Sequence, residues 1–109
     1  METHQESMQN LREILRTAMH LQAIPMAMNA LVGMSQLLVQ TNRKERATEI
    51  LALVLHYPMG EETRTEAEQL FLDLEAELCP RVIWDAREQA LAMTLDDMVE
   101  IVLNDQEVF

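Results

Sequence analysis

The feature that most constrains the fold is a segment without a single charged residue, residues 17–42, between Arg16 and Arg43. In a chain of which 25% of the residues are charged, such a segment must be buried in protein, in a membrane or against a partner. It is long enough to cross a bilayer. However, polar residues recur along it, Pro25 interrupts it and no aromatic residue flanks it. We therefore predict that it is buried in protein.

Length and composition predict one all-α domain. The chain has 109 residues, a usual length for a single domain, and it contains only two glycines and three prolines. Good helix formers dominate, and β-branched residues never alternate along a run as they would in a strand. We predict a single domain over residues 1–109, with frayed ends at residues 1–6 and 104–109.

Six segments with helical spacing of apolar residues are separated by prolines and short polar breaks. The predicted helices lie at about 7–23, 25–40, 43–57, 61–79, 80–92 and 95–103. Three of them carry a sequence typical of a capping box, namely Asn42 with Glu45, Thr63 with Glu66, and Thr94 with Asp97. Because the breaks are short, neighbouring helices are expected to pack antiparallel, as helical hairpins.

The charge is divided unevenly along the chain. Residues 1–60 carry five acids and five bases, whereas residues 61–109 carry fourteen acids and three bases, so the net charge of −11 lies in the second half. This balance disfavours direct binding of nucleic acid and of anionic membranes. The first residues lack the pattern of a signal peptide, and the single cysteine excludes an internal disulfide. We expect a cytoplasmic protein.

The residues that usually carry chemistry form no recognisable pattern. His4, His20 and His56 share no ligand spacing with Cys79, which we expect to be a buried, inert thiol before Pro80. Adjacent carboxylates are interpreted as helix caps and solvated surface. Neither a Ser-His-Asp arrangement nor a phosphate-binding loop is present in the sequence. We therefore predict no catalytic residues, no cofactor, no metal and no enzyme activity.

The second and third predicted helices form a unit of tetratricopeptide (TPR) length. Residues 28–61 are 34 residues long, and Ala47, Leu51 and Pro58 fall at TPR positions, although the usual Trp, Gly and Tyr are missing. The amino-acid sequence of residues 30–34, 46–58, 62–64, 67–68 and 94–99 resembles the C-terminal TPR-like region of large bacterial signalling ATPases and LuxR-like (STAND-class) transcriptional regulators. That resemblance covers about residues 10–103. It implies a TPR-like α-solenoid that senses or binds partners in a signalling or transcription-regulatory system.

Two regions are predicted to contact a partner. The second helix is apolar nearly all round, and Met26, Met28 and Val32 are expected on a side that one domain is too small to cover, with Met19 nearby. Trp84 lies off the stripe that we assign to Ile83, Ala86/Arg87 and Ala90/Leu91, so it is a candidate interface anchor. The expected partner is another protein or a second copy, as a homodimer, because small repeat stacks need their ends covered.

Two alternative functions remain open at this stage. The methionines of the first third would line a helical pocket for a small apolar ligand, which would make the protein a sensor. Alternatively, the acidic surface of residues 61–77 and the tail would mimic nucleic acid and inhibit a basic, DNA-binding partner.

Gly33, in the middle of a helix, is expected to allow a neighbouring backbone to approach closely.

Overall fold

The structure is a computed structural model that describes residues 3–104, all of whose regular elements are α-helices. The six helices are α1 (His4–His20), α2 (Ile24–Gln40), α3 (Lys44–Val54), α4 (Glu61–Glu77), α5 (Pro80–Ala92) and α6 (Leu95–Asn104). The all-α prediction is confirmed, and α5 has the bounds that were predicted for the fifth helix, residues 80–92. The TPR-like arrangement stays a prediction. None of these helices is long and apolar enough to cross a membrane.

The first helix begins earlier than predicted because a capping box precedes it. The backbone N–H of Glu6 donates to Thr3 Oγ1 at 3.1 Å, and the backbone N–H of Thr3 donates to Glu6 Oε2 at 3.4 Å. Residues 3–6, for which we expected fraying, thus form the N-cap and first residues of α1. Asn104, also expected to fray, is the last residue of α6. Residues 1–2 and 105–109 lie outside the described range.

The third helix is shorter than predicted and ends at Val54. The backbone N–H groups of His56 and Tyr57 donate to carbonyls three residues back, which tightens the chain into a turn. Pro58 explains the difference, since its ring disfavours a helical conformation at Tyr57. The turn exposes His56 and leaves Tyr57 half-buried, where it contacts the start of α6.

The connections 21–23 and 41–43 have the same backbone geometry. In each, the middle residue is left-handed, with φ of 56° at Gln22 and 63° at Asn42. The residue after it donates its N–H to a carbonyl five residues back, and the left-handed residue donates to a carbonyl three residues back. This is the Schellman ending of α1 and α2. Asn42 was predicted to cap α3; that prediction is wrong, because Arg43 takes the cap position and Asn42 ends α2.

We expect Gln22→Gly to raise the free energy of unfolding by about 0.5–1 kcal/mol, because glutamine pays a steric cost in the left-handed region that glycine avoids. The exposed Gln22 side chain makes little contact that would be lost. Asn42→Gly is the matched control and should gain less, since asparagine tolerates this conformation. Urea unfolding at constant m-value checks both variants. Equal gains at the two positions would contradict a residue-specific strain at Gln22.

The core is built around α2 and α3. α2 packs against α1, α3 and α4, while α3 also packs against α4 and α5. Seven of the eleven residues of α3 are buried. Gly33 lies where α1 meets α2, and a Cβ there would lie 3.2 Å from Leu11 Cδ2. The close neighbour of Gly33 is therefore a side chain, not the backbone that we expected.

Two polar contacts tie α4 and α6 to this core. Thr63 does not cap α4 as predicted, because α4 begins at Glu61; its hydroxyl instead donates to Asn29 Oδ1 of α2 at 3.1 Å. The hydroxyl of Tyr57 accepts the backbone N–H of Leu95 at 3.0 Å. The Thr94–Asp97 capping box is confirmed, with both of its hydrogen bonds at 3.1 Å. The hydrogen bond between Leu95 and Tyr57 holds the start of α6 near the end of α3.

Candidate functional site: an apolar surface on the acidic half

The structure separates the five residues predicted for the interface. Met28 is 0% exposed and Val32 is 1% exposed, so the prediction that they face a partner is wrong. Met19 is half-buried, and Met26 is 40% exposed at the first turn of α2. Trp84 lies far along the chain on α5 and is 62% exposed. No common surface of Met26, Met28 and Val32 therefore exists.

The burial of Met28 and Val32 follows from a third helix against α2. Besides α1 and α3, its neighbours along the chain, α4 also packs on α2. The hydrogen bond between Thr63 and Asn29 places the first turn of α4 beside the N-terminal half of α2. Met28 and Val32 are thus covered within the chain, whereas Met26 in the first turn of α2 is 40% exposed.

The largest change from the sequence prediction concerns the outer face of α5. Ile83, Ala86 and Ala90 are buried as predicted, but Leu91 is exposed, contrary to its assignment to the same stripe. Leu91 is seven residues after Trp84, and seven residues are close to two helical turns, so both side chains lie on one face. The spacing from Trp84 was the signal in the sequence that identifies Leu91.

Arg87 joins this face of α5 to α4. It lies three residues after Trp84 and four before Leu91, and its Nη2 is 3.3 Å from Glu75 Oε2 on α4. Its Cζ lies 5.1 Å from the centroid of the Phe71 ring, within the range of a cation–π contact. The side chain of Arg87 thus connects α5 to α4.

Leu72 is a further exposed apolar side chain, on the helix α4 that Arg87 contacts. It is exposed, and it follows the buried Phe71 and precedes Glu75 by three residues. On both α4 and α5, the side chains follow the same order around the helix axis. The buried face comes first, the edge that Arg87 connects comes next, and the exposed apolar side chains follow. We call the resulting surface the Trp84 surface. Its apolar members are Leu72, Trp84 and Leu91, and its acidic members are Glu68, Glu75 and Glu88.

The Trp84 surface has a negative rim. Glu68 is one helical turn before Leu72, and Glu88 lies between Trp84 and Leu91 along α5. The nearby bases are engaged within the chain, since Arg87 pairs with Glu75 and Arg81 pairs with Asp85 at 3.4 Å. Exposed apolar side chains inside an acidic rim can take part in both hydrophobic and electrostatic contacts.

Two cavities elsewhere in the fold differ from this surface. A narrow cavity between Met8, Met34 and neighbouring side chains has a volume of about 10 Å³, which is room for a single water. A small apolar ligand could enter there only if the helices moved apart. A groove of about 370 Å³ between α3 and α5 is lined by Glu45, Glu49 and Asp85 together with apolar and amide side chains.

Within residues 3–104, no cluster of three or more histidine, cysteine, aspartate or glutamate side chains could hold a metal ion. The three histidines are exposed at separate places. Cys79 is also exposed, at the N-cap of α5, so the expectation of a buried thiol is wrong. Pro80 explains its position, since the residue before a proline favours an extended backbone, and Cys79 has ψ of 137°.

No protein-family model matches the chain, and comparison with the curated proteins and with the solved structures found no match. The function is therefore inferred from the residues of this chain.

Proposed function

We propose that the chain is a non-enzymatic protein–protein interaction module and that its partner docks on the Trp84 surface. The observation that supports this proposal is the exposure of Trp84 on the same helix face as Leu91. Tryptophan is enriched among the residues that dominate binding energies at interfaces. Trp84 is 62% exposed and lies on the same helix face as the exposed Leu91, outside the buried stripe that Ile83, Ala86 and Ala90 form.

The proposed biological setting follows from the sequence resemblance. The sequences of residues 30–34 and 46–58 resemble the TPR-like region of STAND-class regulators, in which such helices bind partners. Six helices with short connections are compatible with a TPR-like stack. On this proposal the module serves a signalling or transcription-regulatory system, and the nucleotide-binding and DNA-binding steps of that system belong to other domains or chains.

Affinity capture from the host with matched baits tests the proposed function. Trp84→Ala should lose the partner that the wild-type chain captures, because truncation of an interface tryptophan commonly costs about 2 kcal/mol or more of binding free energy. Leu21→Ala is the control, since Leu21 is 64% exposed but lies between α1 and α2, away from α5. This bait should capture the partner as well as the wild-type chain does.

Light scattering on the wild-type chain, Trp84→Ala and Leu21→Ala shows whether the chain associates with itself. A homodimer that Trp84→Ala dissociates would show that a second copy occupies the Trp84 surface. A bait set in which all three proteins capture the same partners would contradict the assignment of the interface to this surface.

A further inference from the structure

We propose that the segment that occupies the Trp84 surface is a cationic amphipathic helix of the partner. Its apolar side chains, about seven residues apart, would contact Trp84 and Leu91, and its Lys or Arg side chains would pair with Glu68 and Glu88. This inference rests on the proposed function and names the chemistry of the partner.

The spacing of the apolar side chains favours a helical partner. Trp84 and Leu91 are seven residues apart along α5, which corresponds to about 10 Å at 1.5 Å per residue. A partner helix that lies along α5 repeats its apolar positions at the same spacing. An extended strand presents side chains on one face about every 6.6 Å, from a rise of about 3.3 Å per residue, so its side chains would not match the two positions.

The charge of this half of the chain favours a cationic partner. Residues 61–109 carry fourteen acids and three bases. All three bases are engaged within the chain: Arg64 donates to backbone carbonyls, Arg81 pairs with Asp85 and Arg87 pairs with Glu75. The rim carboxylates Glu68 and Glu88 are exposed next to Leu72 and Trp84. Complementary charge on a partner speeds association and fixes its orientation.

The same charge disfavours the other occupants. Two copies of the chain that met through the Trp84 surface would bring two acidic halves together, and juxtaposed like charges weaken binding. Nucleic acids and anionic membranes carry the same sign as this surface. A neutral apolar peptide would contact the leucines and Trp84 but would leave the acidic rim unpaired.

Synthetic peptides test the proposal directly, with the fluorescence of Trp84, the single tryptophan of the chain, as the readout. The first peptide places leucines at i, i+3, i+4 and i+7 and lysines elsewhere. The second has the same composition in scrambled order, and the third replaces each lysine by glutamate. We expect the first to shift the emission of Trp84 to the blue, the second to bind at least about tenfold more weakly, and the third not to bind.

Variants of the chain separate the apolar and the electrostatic contributions. Leu91→Ala, measured by fluorescence, should weaken binding of the first peptide about tenfold, and Trp84→Ala, measured by calorimetry, should weaken it about thirtyfold or more. Glu88→Gln should weaken it less, and its effect should shrink as salt is added. Leu21→Ala should bind like the wild-type chain. Circular dichroism confirms that each variant is folded.

Any of four results would overturn the proposal. If the scrambled peptide bound as tightly as the first peptide, charge alone would determine the affinity, as expected of an acidic nucleic-acid mimic. Absence of binding by the first peptide, or tighter binding by the glutamate peptide, would exclude a cationic helix. A partner that is captured through Trp84 but contains no cationic helix would contradict this inference and leave the interaction module intact, whereas capture independent of Trp84 would contradict the proposed function itself.

Discussion

Met28→Ala is expected to lower the free energy of unfolding by about 2–5 kcal/mol, the usual cost of truncating a fully buried methionine. Met28 is 0% exposed inside the ring of helices around α2, so the removed atoms leave a cavity that rigid neighbours fill only in part. Since domains of this size have a total stability of about 5–15 kcal/mol, the loss is a large fraction of it. Urea unfolding followed by circular dichroism measures it.

Met26→Ala is the matched control for this prediction, because Met26 lies two residues away in the same helix and is 40% exposed. We expect a change within about 0.5 kcal/mol, as for most surface substitutions. If the two variants were equally stable, or if Met28→Ala were neutral, α4 would not cover that side of α2. Such a result would favour the prediction from the sequence that Met28 faces a partner.

Arg64→Met is expected to cost about 1.5–3 kcal/mol, the range for hydrogen bonds that involve a charged group. Arg64 Nη2 donates to the backbone carbonyl of Tyr57 at 2.8 Å, just after α3 ends. Carbonyls at a helix end lack partners within the helix, and a cation there also interacts favourably with the helix dipole. Methionine keeps the apolar stem of the side chain but removes every donor. Thermal and urea unfolding measure the loss.

Arg81→Met provides the comparison for Arg64. Arg81 is also an arginine on a helix of the second half, but its side chain is exposed and pairs with Asp85 across one turn of α5 at 3.4 Å. An exposed pair of this kind is worth about 0.3–0.5 kcal/mol. Similar losses for the two variants would show that the half-buried contacts of Arg64 to backbone carbonyls add little stability.

Local signals in the sequence were sufficient where one residue decides the backbone. Pro80 begins α5, and the Thr94–Asp97 pair begins α6, because a fixed φ and a side-chain acceptor act at their own position. Local signals failed at Asn42, whose pattern suits both the end of one helix and the start of the next. Asparagine tolerates the left-handed conformation, and the hydrogen bonds that end α2 placed it there.

The candidate site was predictable only in part. The position of Trp84 off the buried stripe indicated its exposure, and the spacing of seven residues could have added Leu91. Leu72 could not be found in this way, because it lies on another helix. The contacts of Arg87 with Phe71 and Glu75 relate the exposed faces of α4 and α5, and contacts between helices are not encoded in the period of either one.

The sequence by itself determined that this chain is all-α, that α2 is central and that the excess of negative charge lies after residue 60. These properties depend on composition and on periodicity within a segment. Only the tertiary structure decided which apolar faces meet water. α4 returns to cover Met28 and Val32, while Trp84 and Leu91 remain exposed. A periodic pattern shows that a face is apolar, but whether it is buried depends on which distant helix packs against it.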